Sequence, residues 1–225
     1  MAEPLRRILD IAEGQWGLIT RQQADRAGVR WTSLVRLVDG GTLERVAHGV
    51  YRVRGAGEPD HLGLRAAWLQ LDPGRPAWSR LDDPVGAVVS HTSAASLYGV
   101  GDLRSDIHEF TLSIRKQTRR ADVRLHRGNV GPEDRIVLHG LPTTRASRMI
   151  ADLLSDHVEV AAVAQITTEV LDRVFDYPSE VVDHLSPYAS RIGLSVGDGA
   201  GALQHLLRLA GGGEQERVVQ DAHNA

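Results

Sequence analysis

The sequence has no cysteine, a single lysine and only 4% aromatic residues. Without cysteine, the chain forms no disulfide and offers no thiolate as a nucleophile or metal ligand. No uncharged apolar run approaches the roughly 18 residues that a membrane span requires. The first residues carry charges inside their apolar pattern and do not resemble a signal peptide. These absences predict a cytoplasmic protein whose cores are built from aliphatic side chains.

Charge is distributed unevenly along the chain, although the formal net charge is only -3. Residues 1–54 carry +3, residues 55–99 carry -2, residues 100–148 carry +4 and residues 149–225 carry -8. A basic front and middle with an acidic end indicate that different parts of the chain meet different partners. The pI near 6.4 argues against a protein that grips nucleic acid with its whole surface.

The stretch Leu18–Val53 predicts the best-defined module of the chain. A short helix begins at Thr20, whose hydroxyl is a suitable N-cap, and Gly28 provides the following turn. A second helix over about 31–39 is followed by two alternating segments around a tight turn. Helix, turn, helix and hairpin in this order predict a winged helix-turn-helix, which places one helix in the DNA major groove.

The second helix of this module has two different faces. Trp31, Leu34, Val35 and Val38 follow helical spacing and predict a buried stripe. Residues on the opposite side would face base edges and phosphates, together with arginines of the hairpin and the neighbouring turns. The expected DNA contacts in this module are Thr32, Ser33, Arg36, Arg45, Arg52, Arg21 and Arg30. The alternative is a protein-interaction module, because small tri-helical units with a hairpin also serve that purpose.

Gly and Pro residues over 55–59 predict a linker and a division of the chain. We expect a winged helix-turn-helix over 1–55, a mixed α/β domain over 60–210 and a flexible tail over 211–225. The fold class predicted is α+β, with helices at the C-terminal end. Those helices are expected over 158–176, over 179–192 with a break at Pro187, and over 203–209.

A basic segment, Arg115–Arg120, separates two alternating strands in the middle of the chain. Such a turn can add phosphate contacts that weaken with salt, and Arg119 and Arg120 are therefore included in the DNA-binding prediction. The alternative is a solvated turn between two strands of a hairpin.

An enzymatic site in the middle of the chain is the weaker hypothesis. Candidate groups for a hydrolase or nuclease are His91, His108, His126, Asp152 and Asp156, but neither HExxH nor GxSxG occurs. Asp152, Asp156 and Glu159 lie along one side of a predicted helix and are expected on a solvated acidic face, with Arg148 and Asp152 as a surface ion pair. We therefore predict no catalytic residues, no metal site and no cofactor.

The N-terminal helix-turn-helix is followed, in order, by the phrases RVAHGVYRV (45–53), VVSHTSAASLYGVGDL (88–103), IHEFTLS (107–113), VRLHRGNV (123–130) and GLPTTRASRMIADLL (140–154). Together these features resemble the AbiEi family of bacterial antitoxins, and the resemblance covers about residues 5–155. The resemblance implies a DNA-binding transcriptional autorepressor that binds repeats at its own promoter. It also implies a partner, a nucleotidyltransferase-like toxin that the protein counteracts directly or indirectly.

The endonuclease-like version of this family is not supported. Such a domain needs a lysine beside a carboxylate cluster, and Lys116 is far from the C-terminal acids in sequence. A ligand-sensing winged-helix regulator without a toxin partner remains the main alternative function.

Overall fold

The computed structural model describes residues 2–211, which form two compact units. The division lies between Ala87 and Val88. The segment up to Ala87 is called the winged-helix unit, and the segment from Val88 is called the second unit. Among residues 2–211, no helix has both the length and the apolar character to cross a bilayer. The tail predicted over 211–225 lies, apart from Gly211, outside the described residues.

The winged-helix unit has the order of elements that the sequence predicts. A three-stranded antiparallel sheet has the order β1-β3-β2, so the first strand pairs with the far strand of the hairpin. The α+β class and the winged helix-turn-helix are confirmed. Its elements are α1 (Ala2–Glu13), β1 (Leu18–Thr20), α2 (Arg21–Arg26), α3 (Trp31–Asp39), β2 (Leu43–Ala47), β3 (Val50–Val53), α4 (Leu62–Leu71) and a 3-10 turn (Ala77–Arg80).

One aliphatic core holds this unit together. Ile8 of α1, Ile19 of β1, Leu34 of α3 and Leu43 of β2 are at most 1% exposed and belong to the same buried cluster. Burying a side chain of this size stabilises the fold by about 1.5–3 kcal/mol. The core therefore ties α3 to both the sheet and α1, and determines which side of α3 faces outward.

The compact unit extends well beyond the predicted linker because a buried glutamine pair holds the segment after α4. Gln23 Nε2 donates to the carbonyl oxygen of Arg75 at 2.9 Å, and Gln15 Oε1 accepts from the amide of Ala77 at 3.1 Å. Gln15 and Gln23 are also hydrogen-bonded to each other. Two buried amides satisfied by one distant segment make that segment part of the unit.

The second unit is built on a five-stranded mixed sheet of order β6-β5-β4-β8-β7, accompanied by helices. Its strands are β4 (Val88–Val89), β5 (His108–Leu112), β6 (Val123–Arg127), β7 (Arg135–Leu138) and β8 (Leu141–Thr144). Its helices are α5 (His91–Tyr98), α6 (Ala146–Ser155), α7 (Val160–Asp172), α8 (Pro178–Leu185) and α9 (Gly199–Leu209), with 3-10 turns at Pro132–Asp134 and Ser186–Ile192.

Strands β5 and β6 pair in parallel, with His108 opposite Val123 and Leu112 opposite Arg127. The basic segment between them is therefore a crossover and not the tip of a hairpin. Alternation of apolar residues identifies the buried face of a strand but carries no information on its direction. The hairpin interpretation of this segment is wrong for that reason.

Two of the three C-terminal helices are shorter than predicted, whereas α9 begins at Gly199 and is longer than the predicted 203–209. Helix α7 ends at Asp172, and Val174, expected on its apolar face, is 69% exposed. Helix α8 ends at Leu185, where the chain continues as a 3-10 turn that contains Pro187. Proline lacks the amide proton that an α-helix needs at this point, which accounts for the change.

Candidate nucleic-acid interface

Local sequence positions the two helices of the winged-helix module. The Thr20 hydroxyl accepts from the amide of Gln23 at 3.1 Å, and the Gln23 side chain accepts from the amide of Thr20, which makes a capping box at the start of α2. Gly28 has a φ of +78° and carries the chain from α2 to α3. A left-handed residue costs little when it is glycine. These features orient α3 on the surface of the unit.

Helix α3 presents polar groups on its outer side. Leu34 is 1% exposed and anchors the inner side, whereas Thr32 and Arg36 are exposed and Ser33 is partly buried. Arg30, which precedes the first turn, is exposed as well. This is the arrangement that a recognition helix needs, with hydroxyl and guanidinium groups free to reach base edges and phosphates.

Trp31 departs from the predicted buried stripe. Its side chain is 48% exposed, and the guanidinium of Arg21 lies 4.5 Å from its ring centroid. Trp31 is the first residue of α3, so no preceding turn of that helix covers its outer side. The cation–π contact joins the start of α2 to the start of α3.

The tip of the wing lies beside the first residues of α2 and α3. The amide of Arg21 donates to the carbonyl oxygen of Gly49 at 2.8 Å. Arg45 of β2 is exposed, and its guanidinium lies 3.1 Å from His48 Nδ1. Arg45 also lines a small cavity of about 130 Å³ together with Trp31. The structure therefore brings Arg21, Trp31 and Arg45 to one surface.

Arg52 has a different environment from the other predicted contacts. Its side chain is 14% exposed and forms ion pairs with Glu44 and Glu58. Both carboxylates belong to the wing or to the segment after it, so the local role of Arg52 is to brace the hairpin. Across residues 2–211, by contrast, Arg30, Arg36 and Arg45 have no carboxylate partner.

The two arginines predicted in the second unit also differ. Arg120 forms a two-pronged ion pair with Asp122, and its hydrogen bonds lower the pKa of that carboxyl to about 2. Arg119 is exposed and lines a broad open cavity of about 760 Å³ with Lys116. Of the two, Arg119 offers the exposed cation.

A second cluster of polar groups lies within the second unit. Four of the five groups named for an enzymatic site line one cavity of about 230 Å³, namely His91, His126, Asp152 and Asp156. His108 does not line this cavity. The rings of His91 and His126 are stacked with centroids 3.6 Å apart. The cavity that these four residues line is called the histidine cavity.

Asp152 does not lie on a solvated acidic face, as the sequence suggested, because it is only 6% exposed. The predicted ion pair is present, with Arg148 Nε donating to Asp152 Oδ1 at 2.9 Å. Asp156, at the end of α6, is exposed. A helical pattern of acids predicts a shared face but does not say what packs against it.

Glu109 is the member of this region that sequence reasoning missed. It lies on β5, is 2% exposed, and accepts hydrogen bonds from His126 Nε2 and from the amide and hydroxyl of Thr92. Burial raises the pKa of Glu109, but the bonds from His126 and Thr92 outweigh it and lower the pKa to about 2. In the sequence, a buried carboxylate in a strand looks the same as a solvated one, so no local signal identified it.

Helix, turn, helix and an antiparallel wing over one apolar core define a winged helix-turn-helix. Residues 6–54 match a family model described as transcriptional regulator, AbiEi antitoxin. The resemblance to the AbiEi antitoxins is thereby confirmed over this module. A comparison with curated proteins finds no match.

The similarity to solved structures extends over most of the chain. The crystal structure of the RV2827C protein from Mycobacterium tuberculosis matches with a TM-score of 0.55 and 15% sequence identity. The match covers 97% of this chain and 80% of that protein. At this level of identity the similarity concerns the fold alone.

Proposed function

We propose that this chain is an antitoxin and transcriptional autorepressor that binds repeats in its own promoter and counteracts a nucleotidyltransferase-like toxin. The observation that carries the proposal is the surface formed by Arg21, the outer side of α3 and the wing residue Arg45. Exposed guanidinium groups without carboxylate partners are available to phosphates and bases. The family match over residues 6–54 supports transcriptional regulation as the context.

In the proposed mode of binding, some residues of this surface contact base edges and others contact phosphates. Helix α3 enters the major groove, where Arg36, Thr32 and Ser33 meet base edges. Arg30 and Arg21 lie at the helix ends and contact phosphates, and Arg45 extends that contact from the wing. Arg52 supports the wing through Glu44 and Glu58 and contributes to binding indirectly.

The proposed role of the second unit is to counteract the toxin. Its C-terminal part is acidic, since residues 149–225 carry a charge of -8, and a surface of that sign is not suited to phosphate binding. An acidic surface does suit a nucleic-acid-handling partner protein with a basic face. Arg119 on the crossover is the proposed additional DNA contact of this unit.

A ligand-sensing regulator without a toxin partner is the second candidate. The observation that favours it is the histidine cavity, a space of about 230 Å³ with several convergent polar groups. In that case, occupancy of the cavity would change operator affinity, and a toxin gene would be absent beside this one.

The DNA-binding proposal is tested by band shifts at graded salt with the DNA upstream of the gene and with unrelated DNA of equal length. We expect preference for the upstream DNA and a loss of about 1–3 kcal/mol for Arg36→Ala, because an arginine that reads a base is removed. Arg104→Ala removes one exposed cation outside the proposed surface and is the matched control. Equal affinity of the wild type for both DNAs would overturn the proposal.

The antitoxin role is tested by co-expression with a nucleotidyltransferase-like protein encoded next to this gene. The full chain is expected to restore growth, whereas a chain ending at Ala87 is expected to bind the promoter without restoring growth. The end point Ala87 keeps the glutamine contacts that complete the winged-helix unit. Rescue by the shortened chain would assign the antitoxin activity to the winged-helix unit and contradict this part of the proposal.

A further inference from the structure

The strand register of the second unit collects potential metal ligands on one face of the sheet. Glu109 of β5 is opposite Arg124 of β6, and His126 of β6 is opposite Thr111 of β5. Asp156, at the end of α6, approaches the same place. One carboxylate oxygen of Glu109, one ring nitrogen of His126 and one carboxylate oxygen of Asp156 all lie within 4.8 Å of one another.

A cation already lies between the two carboxylates. The Nη1 atom of Arg124 is 3.4 Å from Glu109 Oε1 and 3.1 Å from Asp156 Oδ2. The Arg124 side chain is 52% exposed, so it can move into solvent without disturbing the core. A small divalent ion at this position would keep the carboxylates neutralised and add a bond to the imidazole of His126.

A buried carboxylate oxygen of Asp152 provides a second, independent observation that indicates a ligand at this place. Its Oδ1 accepts from Arg148, but its Oδ2 is buried and has no hydrogen-bond partner within the described part of the chain. The side chain is 9% exposed and lines the same cavity as His126 and Asp156. An unpaired buried carboxylate oxygen is costly, and a donor such as a metal-bound water would satisfy it.

We propose that Glu109, His126 and Asp156 form a binding site for one divalent transition-metal ion of the zinc type, which displaces the Arg124 guanidinium. Asp152 would accept a hydrogen bond from a water on that ion. The stacked ring of His91 limits the orientation of His126. The proposal differs from the sequence-based expectation of no metal site, and it does not depend on the DNA-binding role of the other unit.

The donor set determines which ions fit. One imidazole nitrogen and two carboxylate oxygens match Zn²⁺, which accepts such mixed ligands and leaves a further position for water. Mg²⁺ and Ca²⁺ prefer all-oxygen sites, so a ligand set that includes histidine selects against them. We therefore expect Zn²⁺ to bind far more tightly than Mg²⁺.

The test is isothermal titration calorimetry of the full-length, tag-free protein, freed of metal with a chelator, against ZnCl₂ and against MgCl₂. We expect one equivalent of Zn²⁺ to bind. His126→Gln and Asp156→Asn should each weaken binding at least 10-fold because each removes a ligand, and Asp152→Asn should weaken it about 10-fold. His139→Gln alters an exposed histidine in the turn before β8 and should leave the affinity unchanged.

Arg124→Ala distinguishes this site from adventitious binding at surface histidines. Removal of the competing guanidinium should strengthen Zn²⁺ binding, whereas an unrelated surface site would not respond. Circular dichroism of each variant verifies that it remains folded. Zinc affinity unaffected by both His126→Gln and Asp156→Asn, or absence of binding in the folded wild type, would overturn the proposal.

Discussion

The outer surface of the winged helix and the buried carboxylates of the second unit use charge in opposite ways. On the winged-helix surface, Arg30, Arg36 and Arg45 are exposed and have no carboxylate partner within residues 2–211. In the second unit, the side chains of Glu109 and Asp176 are buried, and each is held by several hydrogen bonds. Exposed, unpaired charges contribute little to folding and are available for binding, whereas removing one partner of a buried, paired charge destabilises the fold.

The largest expected effect comes from removing a buried carboxylate of the second unit. Asp176 accepts from Arg145 Nη2 at 2.9 Å and from the amide of Ser147 at 3.1 Å, and its side chain is fully buried. Asp176→Ala should lower the free energy of unfolding by about 3 kcal/mol, because the buried amide of Ser147 loses its acceptor and the half-buried Arg145 loses its ion pair. Urea denaturation measures this, with Asp183→Ala, an exposed acid, as the control. A loss equal to that of the control would contradict the view that buried, paired carboxylates contribute more to stability than exposed ones.

The same carboxylate should make stability depend on pH. Burial raises the pKa of Asp176, but hydrogen bonds from Arg145 and Ser147 outweigh it and hold the pKa below its usual value. A depressed folded-state pKa contributes stability above the unfolded-state pKa, and this stability is lost as pH falls through the folded-state pKa. In thermal unfolding, the difference between wild type and Asp176→Asn should be constant from pH 7 to about pH 5 and should narrow as the pH falls below about 4, the unfolded-state pKa of Asp. A difference that stays constant below that pH would contradict the assignment.

A smaller loss is expected when a cap of the winged-helix unit is removed. Thr20→Ala deletes the hydroxyl that accepts from the amide of Gln23 at the start of α2. Such a change typically costs about 1 kcal/mol. Thr20→Ser keeps the hydroxyl and should restore most of the stability in the same denaturation experiment. Equal losses for the two variants would show that the methyl group, not the cap, is responsible.

The smallest effect on stability is expected at the DNA-facing surface. Arg45→Ala removes an exposed guanidinium, so the free energy of unfolding should change by less than about 0.5 kcal/mol. If Arg45 contacts a phosphate, the slope of log affinity against log salt should fall by about 1. Band shifts at four salt concentrations provide the slope. An unchanged slope with weaker binding at every salt concentration would instead indicate a non-ionic contact.

The two regions were predictable from the sequence to different degrees. Capping at Thr20, the glycine turn at Gly28 and the buried Leu34 are local features, so the winged helix and the outer residues of α3 could be predicted. The exposure of Trp31 could not, because periodicity identifies a face but not where the covering residues end. The bracing of Arg52 by Glu58 depends on where the chain goes after the hairpin.

The histidine cavity shows where sequence reasoning ends. His91, His126, Asp152 and Asp156 were recognisable as reactive types, yet nothing local showed that they meet or that Glu109 joins them. Their meeting depends on the parallel pairing of β5 with β6 and on the approach of the end of α6. Both are decided by long-range packing.

The sequence by itself determined the winged-helix module, its capped helices and the polar outer side of its second helix, because the signals for these act over a few residues. Only the tertiary structure decided the extent of that unit to Ala87, the direction of β6 and the burial of Asp152. Each of these depends on contacts between segments far apart in the chain. The free energy of such contacts comes from burial and hydrogen bonding that no local pattern encodes.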